Sequence, residues 1–241
     1  MVTEEVKLAA SLRHAAVVRW THWITVAAFF ALLVSGLEIV ISHPRFYWGE
    51  TGNVNMHPLF TLPIPSSRDT VPTGFGYVMP DQNGWSRSLH FEAAWAVLFC
   101  GLTYGIWSFW TGHFRRDLFP AAGERTWRAY WVVLAGHLRC RPVGKADAEA
   151  YNAVQRAAYV GVIFVLFPLA IWTGLAMAPA FEAAFPLAVD ALGGRQSART
   201  IHFFVTWALV LFLVVHVAMV SLAGFRARMR AMILGNAKED V

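Results

Sequence analysis

Four long apolar runs divide the chain: Val17–Ile41, Leu89–Thr111, Ala157–Met177 and Thr200–Leu222. Each has the ~20 residues that an α-helix needs to cross the ~30 Å hydrocarbon layer of a bilayer at ~1.5 Å per residue. Lipid offers no partner to a backbone N–H or C=O, so runs of this length dictate helices rather than irregular chain. The expected fold is an all-α membrane protein, a single domain over residues 1–241 built as a bundle of four transmembrane helices. The composition agrees. With 57% hydrophobic and only 15% charged residues, and a mean hydropathy of +0.46, the chain is too apolar for an ordinary soluble domain. Eleven Trp and 18 Phe suit aromatic belts at the two membrane surfaces. Pro44 makes a natural stop after the first run, and Pro168 predicts a kink within the third.

The connecting segments set the orientation. Fifteen of the 20 Lys and Arg fall in the N-terminal segment, the 112–156 connection and the C-terminal tail, and five in the 42–88 and 178–199 connections. By the positive-inside rule both termini face the cytoplasm of a bacterial inner membrane. The net charge of +5 therefore reads as topology, not as nucleic-acid binding. Residues 1–16 lack the apolar core and small-residue cleavage site of a secretory leader. Thr126–Arg139 alternates bulky apolar groups with Arg, as in an amphipathic helix on the bilayer surface, and Phe181–Leu192 suggests a shorter amphipathic turn. The 42–88 loop, rich in Pro, Gly, Ser, Asn and aromatics, has the length of a docking surface. Cys100 lies in an apolar run and Cys140 in a basic loop, so a disulfide is not expected; nor does any C-x-x-C-H or cysteine cluster point to c-type haem or an iron–sulfur centre.

Ionisable groups inside a bilayer are costly, and functional candidates for that reason. Ile201–Val217, IHFFVTWALVLFLVVHV, carries one histidine near each end. His202 and His216 are 14 residues apart, nearly four turns, so they share a side of the helix about 21 Å apart along its axis. His22 enters the first span from the cytoplasmic side, and His90 enters the second from the outer side. Matching depths gives two layers: His22 with His216, and His90 with His202. Two imidazoles on facing helices can ligate a six-coordinate b-type haem iron, an arrangement suited to electron transfer rather than oxygen binding. The four-helix bundle is thus expected to hold two b haems. Arg19, Arg87 and Arg199 each precede one of these histidines by three residues. They are placed either to pair with haem propionates or simply to flank a span with positive charge. Gly36, Gly101 and Gly105 could admit a porphyrin close to the backbone or serve helix packing. Glu38 and Glu92 read as interfacial carboxylates, His43 and His57 as loop histidines, and His113 and His137 as solvated groups of the basic connection.

Five segments carry a family likeness: RWTHW (19–23), SHPRFYWGE (42–50), GHFRRDLFP (112–120), YNAVQRAAY (151–159) and GGRQSARTIHF (193–203). With them nearly the whole chain resembles the di-haem cytochrome b subunits of quinone-linked oxidoreductases. That group includes the b subunits of nickel–iron hydrogenase and respiratory formate dehydrogenase, and the likeness is greatest to thiosulfate reductase cytochrome b subunits. The resemblance implies the same pairing of the four histidines as iron ligands. It also implies a quinone pocket beside the cytoplasmic haem, for which Asn152 and Gln155 match the amides of formate dehydrogenase relatives. On the sequence alone these amides could equally cap or surface the helix.

The expected function is transmembrane electron transfer between a periplasmic redox partner, by resemblance a molybdopterin oxidoreductase, and membrane quinone. Two other readings stand beside it. One is a stand-alone di-haem cytochrome b acting on a small molecule such as superoxide at the outer face. The other is a transporter or scaffold with structural histidines. Thiosulfate does not follow as a substrate, because fold and cofactor set do not fix a reaction.

Overall fold

The computed structural model describes residues 14–53, 55–64, 83–118, 157–222 and 224–235. Four helices in it are long and apolar enough to cross a membrane. These are α1 (Ala16–Ser42), α2 (Asn83–Thr111), α3 (Ala157–Ala176) and α6 (Arg195–Leu222). Between α1 and α2 lies a two-stranded ribbon, β1 (Arg45–Phe46) and β2 (Phe60–Thr61). Two short helices, α4 (Pro179–Ala184) and α5 (Pro186–Asp190), link α3 to α6, and α7 (Phe225–Leu234) follows α6. The anticipated turn at 181–192 is thus a pair of helices, each opened by a proline in its first turn. The amphipathic segment at 126–139 lies outside the described residues.

The burial pattern is the reverse of a water-soluble core. Ser35, Ser42, Ser86, Thr173, Ser197 and Thr200 are buried together with Ala28, Ala93, Ala176 and Ala198, whereas Trp20, Phe30, Phe99, Leu211 and Val214 are exposed. Helices in lipid gain nothing by hiding large apolar groups from one another. They approach instead through small residues, and hydroxyls bond to nearby backbone. The chain is accordingly a multi-pass membrane protein.

It divides into two compact units, residues 1–105 with 171–241, and residues 106–170. In the first, the ribbon pairs antiparallel, with Arg45 opposite Thr61 and Phe46 opposite Phe60. Phe46 is almost fully buried, stacked on Phe60 at 4.7 Å and set against Phe203 of α6 at 4.6 Å. The turn after β1 closes the start of α6. Gly49 O accepts from the N–H groups of Gln196 and Ser197, and Glu50 Oε2 accepts from Arg195 N–H at 2.9 Å. Ser197 Oγ in return accepts from Gly49 N–H, and Thr200 Oγ1 donates to Tyr47 O. These bonds serve the unpaired donors of a helix N-terminus, and a carboxylate there also suits the helix dipole. They explain why α6 begins at Arg195, five residues before the apolar run: the polar turn RQSAR is held by a distant segment. At the other end of α6, α7 folds back onto α1. Arg19 Nη1 donates to Ile233 O at 2.7 Å and Trp23 Nε1 donates to Met232 O at 3.1 Å. These donors serve the carbonyls of a helix C-terminus that closes at left-handed Gly235.

In the second unit, Phe114 of a π-helical turn (Phe114–Leu118) packs edge-on against Phe164 at 5.0 Å. Phe164 lies in a π-helical stretch of α3, Val162–Leu166, where Phe167 N–H bonds to Val162 O. The anticipated disturbance at Pro168 therefore takes the form of a widened turn just ahead of it. A proline ring cannot donate and clashes with the carbonyl four residues back, and the wider turn relieves both.

Candidate functional site

Helix α6 carries His202 and His216, and each has one histidine partner on another helix. His90 of α2 faces His202 with ring centres 6.2 Å apart and planes at 65°. His22 of α1 faces His216 at 6.4 Å and 53°. Two imidazoles on opposite sides of one metal, each with a ~2.0 Å metal–nitrogen bond and ~1.1 Å from nitrogen to ring centre, would stand about 6 Å apart. Both pairs have that gap. Among the described residues no group of three or more His, Cys, Asp or Glu gathers. Each pair thus presents two donors, too few for a four-ligand zinc site. A planar macrocycle that brings four nitrogens of its own needs two such donors, one on each face.

The His90/His202 pair is held by a repeated device. His90 Nδ1 lies 3.0 Å from Ser35 Oγ of α1, and His202 Nδ1 lies 2.9 Å from Thr173 Oγ1 of α3. The Ser35 hydroxyl also donates to Ala31 O at 2.7 Å. Leu32, on the same turn of α1, is a backbone partner of His90 as well. In the tautomer with Nδ1 protonated, His90 Nε2 would be the donor atom open to a metal. The next residue is glycine in both cases. A Cβ on Gly36 would stand 3.4 Å from His90 Cε1, and one on Gly174 would stand 3.6 Å from His202 Cε1. Gly36 therefore seats a histidine ring, a more specific role than admitting a porphyrin. Ser35, Thr173 and Gly174 are absent from the residues singled out on sequence. The signal available was a hydroxyl–glycine dipeptide inside two separate apolar runs.

The His22/His216 pair is surrounded differently. Trp23 meets His22 edge-on at 5.2 Å, and Phe212 stacks on His216 at 5.7 Å. His22 Nδ1 is buried with no hydrogen-bond partner, as are Arg19 Nε and Arg230 Nε. Arg19 lies one turn from His22, and Arg230 lies on α7, whose last carbonyls Arg19 and Trp23 engage. Buried guanidinium nitrogens without partners suit an anionic group such as a propionate. The donor set at both ends of α6 is compatible with haem.

The other nominated residues are distributed as follows. Arg199 is committed to the ribbon: it donates to His43 O and Arg45 O, and its guanidinium lies 4.9 Å from the centre of the Phe46 ring. Arg87 is exposed on α2, one turn from His90. Asn152, Gln155 and His137 lie outside the described residues. Glu92 accepts from Ser88 Oγ at 3.1 Å on the surface of α2, and Glu38 is half-buried. His43 closes α1 through its backbone N–H, His57 is exposed, and His113 packs on Trp107 at 5.1 Å. A Cβ on Gly101 or Gly105 would meet nothing within 4 Å.

The profile of the family described as prokaryotic cytochrome b561 matches residues 13–235. YedZ1 of Azospira oryzae, provisionally named a protein-methionine-sulfoxide reductase subunit, is 32% identical over 209 residues, which cover 85% of this chain and 87% of that one. The probable Ni/Fe-hydrogenase B-type cytochrome subunit of Cupriavidus necator is 28% identical over 220 residues, 86% of this chain and 78% of that one. No solved structure matches the chain.

Proposed function

Because the chain belongs to the prokaryotic cytochrome b561 family of haem b electron carriers, we propose that it conducts electrons across the bilayer through two haems in series. His22 and His216 would hold a haem on the cytoplasmic side, and His90 and His202 would hold one on the outer side. The observation that carries this reading is the pair of imidazole gaps, 6.4 and 6.2 Å, at the two ends of one helix. When bound, haem b supplies reversible one-electron exchange at iron. The protein's part is to hold two nitrogens in line with each iron, keep water from it and set its potential. Arg19 and Arg230 would pair with the propionates of the cytoplasmic-side haem, and Arg87 with those of the outer one.

The orientation, with both termini in the cytoplasm of an inner membrane, follows from the placement of basic residues. Asn152 and Gln155 are the residues we assign to quinone, since an amide side chain can hydrogen-bond a quinone carbonyl. The partner is a redox subunit on the outer face, and a molybdopterin oxidoreductase is the class we assign it. Both relatives are named as subunits, which favours this reading over a stand-alone cytochrome. The test is a dithionite-reduced minus oxidised spectrum of the purified protein, with haem quantified per chain. Two low-spin b haems are expected in the wild type. His202→Ala should lose the outer one and His216→Ala the cytoplasmic one. Two low-spin haems retained in either variant would overturn the assignment.

A further inference from the structure

We infer that α7 is a latch on the cytoplasmic-side haem site, tying together the two helices that bear His22 and His216, so that haem and latch stabilise each other. This rests on the ligand assignment above and adds Trp23 and Arg230 to it as positioning residues. Helix α6 ends at Leu222, within two turns of His216. Gly224, at φ +99°, then reverses the chain, and α7 runs back to α1. There two of its last carbonyls accept from α1 side chains, Ile233 O from Arg19 Nη1 at 2.7 Å and Met232 O from Trp23 Nε1 at 3.1 Å. The contact continues at Gly235, where a Cβ would stand 3.1 Å from Arg19 Cζ. Ala231 of α7 is fully buried.

The α1 residues that α7 holds are those around the histidine. Arg19, His22 and Trp23 are spaced i, i+3 and i+4, so they share one stripe of the helix. Trp23 also meets the His22 ring edge-on, at 5.2 Å and 88°. The hydrogen bond to Met232 O therefore fixes the indole against which the imidazole rests. Helix α7 brings charge as well. Arg230 Nε and Arg19 Nε are both buried with no hydrogen-bond partner. Such nitrogens are costly to bury unpaired, and a propionate carboxylate would satisfy them. Bound haem would thus draw α7 towards α1. Docked α7 would in turn keep His22 at the 6.4 Å from His216 that the haem requires. Whatever α7 adds to haem affinity, haem adds to the docking of α7.

The experiment reads the coupling in both directions on the full-length protein in detergent. Limited trypsin digestion follows cleavage of the Arg230–Ala231 bond, which is shielded while α7 is docked. On the order of tenfold faster cleavage is expected in His216→Ala, which would lack the cytoplasmic haem. His202→Ala, which would lack only the outer haem, should match the wild type. In the other direction, Arg230→Gln and Trp23→Phe should each release the cytoplasmic haem to excess apomyoglobin about tenfold faster, the worth of one hydrogen bond to a charged or buried group. The outer haem should stay in place, and Arg230→Lys should recover slow release. Equal cleavage in His216→Ala, His202→Ala and the wild type would overturn the inference. So would haem held by either Arg230→Gln or Trp23→Phe as firmly as by the wild type, or equal loss of both haems. A wild type that holds fewer than two haems would instead overturn the ligand assignment beneath it.

Discussion

A histidine inside a bilayer is legible because its cost is local: an apolar run either contains an imidazole or it does not. The hydroxyls that hold these rings are much less so. Ser35 bonds back to Ala31 O as many serines in apolar helices do, and nothing in its own neighbourhood shows that a second helix brings His90 to it. Arg199 has a contact of the same distant kind. The carbonyls of His43 and Arg45 lie across the fold and accept from its guanidinium, which its spacing from His202 does not announce. The glycine that follows each hydroxyl can be tested directly. Gly36→Ala should be tolerated, because its Cβ would stand 3.4 Å from His90 Cε1. Gly36→Val adds methyl groups beyond that point, and overpacking of this kind costs about 1–3 kcal/mol. The expected outcome is a displaced His90 and loss of the low-spin outer haem, with the cytoplasmic haem retained. Haem quantification beside the reduced-minus-oxidised spectrum checks it.

At the level of elements, hydropathy located all four spans, and their ends to within a residue except at the starts of α2 and α6. The first turn of α6 is polar, and its amide donors are met by Gly49 O and Glu50, 145 or more residues away in sequence. A window that scores apolarity has no access to such a contact. The docking also explains a glycine. Gly194 has φ +99°, and a Cβ there would stand 2.7 Å from the backbone of Gly49 and Glu50. Conformation and space therefore both exclude a side chain. Gly194→Ala should detach the ribbon turn from α6 and lower stability by about 1–3 kcal/mol. The readouts are a lower thermal midpoint in detergent and faster proteolysis within residues 45–61. An unchanged midpoint and cleavage rate would mean that the turn does not anchor the helix.

Taken as a whole, the molecule is a membrane-spanning cytochrome b561-type electron carrier, and its sequence announces this through length, apolarity and four histidines. The quinone end is where the sequence and the described residues part company, since Asn152 and Gln155 lie outside the latter. Their proposed role has its own signature. Asn152→Ala should slow reduction of the haems by quinol by about tenfold or more, while dithionite still reduces both haems with unaltered spectra. Stopped-flow reduction by a water-soluble quinol makes the comparison. An unaltered quinol rate would remove Asn152 from the pocket.

On the assignment proposed above, one helix, α6, would supply a ligand to each of two centres, from positions 14 residues apart. Helical rise is stiff, so the ~21 Å of axis between His202 and His216 acts as a gauge. The barrier through which an electron would tunnel between the proposed centres is then a property of one backbone segment. On the same proposal, docking of a partner at one face or exchange of quinone at the other would alter the driving force and leave that length of helix unchanged. Throughput would respond to the chemistry at the two ends while the path between them kept a constant length.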